Sequence, residues 1–253
     1  MSLFNFKIYF VKLIVLLIIF ELTNHLIQIK IMKKNFLNIF AVVAIGLAVV
    51  GCKEGKEANT TEPEAAAVTE VTAQKYKVLT DDSTIEWKGF KPTGTHYGTI
   101  KLEKGMLNLE DNVIQSGSFL IDMTSITVND LEGDDKADLE GHLKGSMEGK
   151  EDHFFNVENF PTGAFEVTGT STDADGKMML SGNLALKGNK NNITIPVSFT
   201  TSGDDLTLTS EAFTIDRTKW SVNYSSKSVF EDLGDKFIND EIELKIIIKA
   251  TKA

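Results

Sequence analysis

The side chains here that could do chemistry are few. His142 and His153, with Glu140 and Asp152, are of the types from which hydrolytic or metal sites are built. A zinc site asks for two His in tight register and a third ligand. Here a glycine-bearing stretch, Met147 to Asp152, separates the two histidines. Arg217, the only arginine, is set between Asp216 and Thr218 and offers a planar fork of donors suited to a phosphate or a carboxylate. Its expected partner is an acidic side chain. The chain has no Gly-x-Ser-x-Gly elbow and no phosphate loop. Its single thiol, Cys52, follows Lys33-Lys34, an apolar run from Phe36 to Val50, and Val49-Val50-Gly51. That arrangement is a bacterial lipobox, in which the cysteine becomes the first residue after cleavage and takes a diacylglyceryl group. With the thiol consumed, no catalytic residue, metal centre or cofactor is expected.

Three segments frame these residues. Residues 1–51 read as an N-terminal hydrophobic segment ending in a signal peptide, with Met32 as the expected start of translation, because two apolar runs before one cut are one too many. Residues 52–75 contain Lys, Glu, Ala, Thr and Asn without an aromatic residue, a composition expected to stay a flexible, lipidated linker. Residues 76–253 are long enough for one core and form a single domain. The formal net charge of −10, with no basic stripe, argues against nucleic acid and against electrostatic docking on anionic lipid. Attachment to a membrane would therefore run through the acyl chains.

Within the domain the dominant signal is alternation. Ile242, Leu244, Ile246, Ile248 and Ala250 share one face, and Ile193, Ile195, Val197 and Phe199 another. Pro196 has no N–H for a ladder and so predicts an edge or bulge at that point. Further alternating runs cover 84–88, 97–102, 106–110, 113–123, 164–170, 178–186 and 206–215, with turns expected at 103–105, 173–176, 189–192 and 202–205. Between Asp130 and Phe160 the period changes, and Leu139, His142, Leu143 and Met147 recur at helical spacing, predicting a helix near 135–145. The fold class is all-β, about eight antiparallel strands with one helical crossing. Period-two patterning is compatible with a closed barrel and also with a sandwich.

Leu139-Glu140-Gly141-His142-Leu143-Lys144, His153-Phe154-Phe155-Asn156-Val157-Glu158-Asn159-Phe160-Pro161 and Phe165-Glu166-Val167 resemble the central signature of the YceI family. Gly182 to Gly188 resembles its hairpin and Phe213 to Trp220 its C-terminal motif; Trp87-Lys88, Gly98 and Asp122 to Ile126 fall in the family's order. The sequence departs from the pattern at Met147 to Asp152, which reads as an insertion, at His153, where Asp is usual, and at 189–192, which lacks the usual Thr. The resemblance implies a lipocalin-like barrel, a secreted or periplasmic location, frequent homodimers, and binding of long isoprenoid quinones or prenyl phosphates. On that reading the chain is an envelope lipoprotein that carries or stores an isoprenoid lipid in an apolar channel. The expected lining is Phe119, Ile121, Phe165, Val167, Leu184, Leu186, Ile195, Val197, Phe213 and Ile215. Phe154, Phe155 and Trp220 are candidates to form a lid or close the mouth; His142 and Arg217 could meet a head group. The competing reading is a filled barrel whose rim binds a protein or glycan.

Overall fold

The computed structural model describes residues 55–68 and 72–253. Cys52, the signal segment and the expected cleavage site lie outside the described residues. Two short strands come first, β1 (Lys56–Glu57) and β2 (Asn59–Thr61), followed by β3 (Gln74–Val78), β4 (Thr84–Lys91), β5 (Gly94–Glu110) and β6 (Val113–Val128). Helix α1 (Gly133–Lys144) makes the crossing, close to where its spacing predicted it. Then come β7 (Thr162–Thr172), β8 (Met178–Leu186), β9 (Asn189–Ser202), β10 (Asp205–Ser210), β11 (Phe213–Asp216) and β12 (Glu241–Lys252). Among the described residues no helix is long and apolar enough to cross a membrane.

Antiparallel pairing runs β12-β10-β9-β8-β7-β6-β5-β4 and returns from β4 to β12, a closed ring of eight strands. A sandwich is thereby excluded. Strands β3 and β4 share one position of the ring, both pairing with β5 and β12. Strands β10 and β11 share another, broken at Glu211-Ala212, so the run 206–215 is two strands. Two expected turns are corrected. Residues 103–105 stay in β5 as a register shift, which bends the long strand without ending it. The turn expected at 189–192 is the pair Lys187-Gly188, both at positive φ, as a two-residue hairpin turn requires.

The segment read as a free linker is, in its described part, laid along the ring. β1 pairs parallel with β11 and β2 pairs antiparallel with β9, so residues 56–61 occupy the seam left where β10 gives way to β11. Pro196 sits beside this seam, between the stretch of β9 that pairs with β2 and the stretch that pairs with β10, where a missing N–H costs little. The Ala58 N–H donates to the Thr214 carbonyl at 2.8 Å, and Ala58 itself is buried. The Gly55 N–H donates to Glu243, which also meets Lys88 at 2.8 Å. Burial alone would raise the Glu243 carboxyl, but these two donors hold it below the ordinary carboxylate range. Composition misjudged the arm because its order comes from main-chain pairing, not from apolar side chains.

Farther on, the arm crosses the outer face of β8 and β7. Asn183 accepts from the Glu64 N–H (2.9 Å) and donates to the Glu64 carbonyl (2.7 Å), while Asn192 donates to Asn183 and to Thr168. The Ala67 N–H reaches the Val167 carbonyl at 2.9 Å. Replacing Asn183 by Ala leaves buried amide and carbonyl groups unpaired and should cost about 1–3 kcal/mol. The expected signature is new cleavage at Glu62 and Glu64 by a glutamate-specific protease. Equal cleavage of variant and parent would show that the pairing does not hold the arm.

A candidate lipid cavity under the helical crossing

Alternation places the apolar side of each ring strand inward, and the two ends of the ring are filled differently. At one end Leu107, Ile114, Val167, Leu206 and Ala250 are buried against one another. Toward the other end the inward side chains do not meet, and they surround an apolar cavity of about 300 Å³. That volume lies at the lower bound of small-molecule pockets, about 300–1,000 Å³. Gly182 shapes its floor: a Cβ there would sit 2.2 Å from the Phe165 ring, so only glycine lets that ring lie across the strand.

Eight of the ten expected lining residues surround the cavity: Phe119, Ile121, Phe165, Leu184, Leu186, Ile195, Phe213 and Ile215. Val167 and Val197 do not, although both face inward and are buried. Val167, opposite Gly182, packs toward Gly117 and Leu107 in the filled end. Val197, between Met178 and Ser210, also belongs to the packed core. The sequence reading omitted Ile242, Leu244, Ile246 and Ile248 of β12 from the lining, as well as Trp87 and Phe90. The alternation of β12 carried that signal in full. The Trp87 indole N–H is buried in the wall without a partner.

His142, Phe154, Phe155, Arg217 and Trp220 all line the cavity. Helix α1 is held over β6 by Glu140, which accepts from the Val128 N–H at 2.9 Å, and ends at Gly145 in the left-handed conformation. The connection after it brings His153 to His142, Nδ1 to Nε2, at 2.8 Å. Tyr224 stacks on His153 at 4.1 Å, and Phe154 stands edge-on to His142 at 5.1 Å. Nothing in the sequence singled out Tyr224, and His142 is tied to this connection and not to a strand. Trp220 is fully buried and donates its indole N–H to the Leu184 carbonyl at 2.9 Å.

Arg217 is 2 % exposed. Its Nε donates to the Asn239 carbonyl (3.0 Å), Nη1 to Val222 and Nη2 to Ile238 (3.0 Å). Asp240, at 3.6 Å, is a neighbour in charge but beyond hydrogen-bond reach. The expected acidic partner is thus secondary to three backbone carbonyls. Burial works against the guanidinium charge, and Asp240 and Asp216 support it. The residue clamps 238–240 and Val222 around the cavity end.

Burial, and then the charges of His153 and Lys150, push the His142 imidazole below its ordinary value. Protonation therefore favours the unfolded chain, so the stabilisation that neutral His142 contributes is complete above about pH 6.5 and falls away as pH drops below it. Between pH 7.5 and 5.5 the melting temperature should decline, and His142→Phe should flatten that decline. Parallel pH profiles for the two proteins would count against this account. Asp130 and Asp152, whose carboxyls lie below their usual range, do not titrate in that window.

A closed antiparallel ring around an apolar cavity, capped by a helix, is the architecture of a lipocalin-type binding protein. The family described as YceI-like domain matches residues 76–250, and the chain belongs to it. Among solved structures, Burkholderia cenocepacia BcnA aligns over 68 % of this chain and 98 % of its own, with 18 % identity and a TM-score of 0.53. A polyisoprenoid binding domain from Saccharophagus degradans, implicated in plant cell wall breakdown, aligns over 70 % and 98 %, with 12 % identity and a TM-score of 0.50. At these identities the likeness is one of fold. No curated protein matches the chain at a significant level. The N-terminal arm, residues 55–68, lies outside the family match.

Proposed function

We propose that this chain is a lipid-anchored envelope protein that holds one long isoprenoid lipid in the ring's cavity, as a carrier or store. The observation that carries the reading is the cavity itself, walled by aliphatic and aromatic side chains from ring strands and closed at one end by packing. Each methylene removed from water into such a space is worth about 0.8 kcal/mol, so a chain of repeated apolar units is the ligand class that this wall rewards. Membership of the YceI-like family and the fold shared with a polyisoprenoid binding domain support the same ligand class. The competing reading, a filled barrel acting through its rim, requires inward side chains to meet along the whole axis, and toward the helical end they do not.

Attachment through an acylated Cys52 and residence in the bacterial envelope follow from the lipobox reading of the sequence. Cys52→Ser should then move the protein from the membrane to the soluble fraction. Organic extraction of the protein purified from its native membrane should yield a prenyl lipid in near-stoichiometric amount. A consistently empty extract, from protein that also fails to take up added isoprenoid, would overturn the lipid reading.

A further inference from the structure

Among the described residues only two aromatic side chains are exposed, Tyr97 and Phe230, each at 48 %. Tyr97 stands in the row of the sheet where the N-terminal arm enters, and Phe230 on the loop 227–237 above it. We propose that this sector of the ring rests on a bilayer surface, with Val229 and Phe230 entering the boundary between head groups and acyl chains. This rests on the reading of Cys52 as the acylated residue.

Register defines the sector. Tyr97 pairs with Lys88, Lys88 with Glu243, and Glu243 with Thr214. Residues directly opposite one another share a face of the sheet, so these four form one row on the outside. The arm joins that row where the Gly55 N–H donates to Glu243 at 3.1 Å. Cys52 comes three residues earlier, within about 11 Å of Gly55 even at full extension. Were the arm unpaired, the chain from Cys52 to Gln74 would let the domain stand about 75 Å off its anchor. Pairing of β1 and β2 with the ring removes that freedom. Glu243 is about 10 Å along β12 from Asp240 and about 30 Å from Lys252, so the anchor holds the ring nearer its unfilled end.

The loop belongs to that end. It leaves the cavity wall after Val222 and returns to it at Ile238 and Asn239. Its neck is fixed: Ser226 bridges Ile238, the Ile238 N–H donates to the Ser225 carbonyl, and the Asn239 N–H donates to the Phe90 carbonyl, both at 2.9 Å. Beyond the neck Val229, 47 % exposed, stands beside Phe230. A tyrosine, apolar in its ring and polar at its tip, suits the level of the head groups, and a phenylalanine the layer beneath. The loop sets Glu231, Asp232 and Asp235 against Lys227 and Lys236, which gives no pull toward anionic lipid. The contact is therefore apolar, and a zwitterionic bilayer suffices for it. A cavity whose rim touches the bilayer takes up a lipid without passing its tail through water, where each methylene costs about 0.8 kcal/mol.

The test uses the acylated protein, purified from its membrane and reconstituted in phosphatidylcholine vesicles. Acylation consumes the thiol of the only native cysteine, so Val229→Cys carries an environment-sensitive dye at one place. Val113→Cys, exposed beside the filled end, is the reference. In vesicles the dye at 229 should shift its emission to the blue, and phosphatidylcholine with a nitroxide high on the acyl chain should quench it. The dye at 113 should show neither change. Unshifted, unquenched emission at 229 in vesicle-bound protein would overturn the contact and leave the anchor standing. Equal quenching at both positions would overturn it too, since no one sector would then face the lipid. Protein that does not stay with the vesicles would overturn the acylation reading, and this inference with it.

Discussion

Arg217→Met should destabilise the domain by about 3–5 kcal/mol, the cost typical of removing one partner from a buried charged cluster. The methionine fills much of the same volume, so the loss reports unmet hydrogen bonds more than a void. The carbonyls of Val222, Ile238 and Asn239 lose their donor, and Asp240 loses the charge that faces it. Arg217→Lys should recover little, because an ammonium on a flexible stem cannot reach three carbonyls that surround a planar fork. Chemical unfolding of the three proteins measures both effects. A lysine variant as stable as the parent would mean that charge, and not the fork, is what the site needs.

Ile246→Trp is the second large effect, and it falls on binding. Ile246 faces the cavity from β12. An indole there occupies space that a lipid tail would take, and growth into a void is tolerated better than growth into a packed core. If the ring displaces about three methylenes of tail, it removes roughly 2.4 kcal/mol, or about fiftyfold in Kd. The same substitution at Val197, inward but outside the cavity, should disrupt packing and cost stability instead. Isoprenoid titration together with thermal melting separates the two. Unchanged affinity in a folded Ile246→Trp protein would place the lipid elsewhere.

Val167 and Val197 show where a sequence reading of the lining stops. Both obey the alternation that selects Phe165 and Ile195, and both point inward, but period two distinguishes only inside from outside. Whether an inward side chain borders space or another side chain depends on its height along the ring and on what faces it. For Val167 that is decided by Gly182, which lets the Phe165 ring lie over its side of the strand. The pairing of His142 with His153 is similar. Their types and positions are plain in the chain, but whether they face each other depends on how the connection after α1 folds back.

The arm marks the boundary from the other side. Local composition between Lys53 and Gln74 registers only the lack of aromatic side chains. It is silent about a seam whose unpaired main-chain groups come from Ile193 and Thr214, far along the chain. The helical crossing, the all-β class and the apolar inward faces of the strands are legible in the chain, because each follows from short-range periodicity. Ring closure, the seating of the arm and the cavity's filled and open ends arise from contacts between residues distant in sequence, such as Glu64 with Asn183, and come into being only when the ring closes.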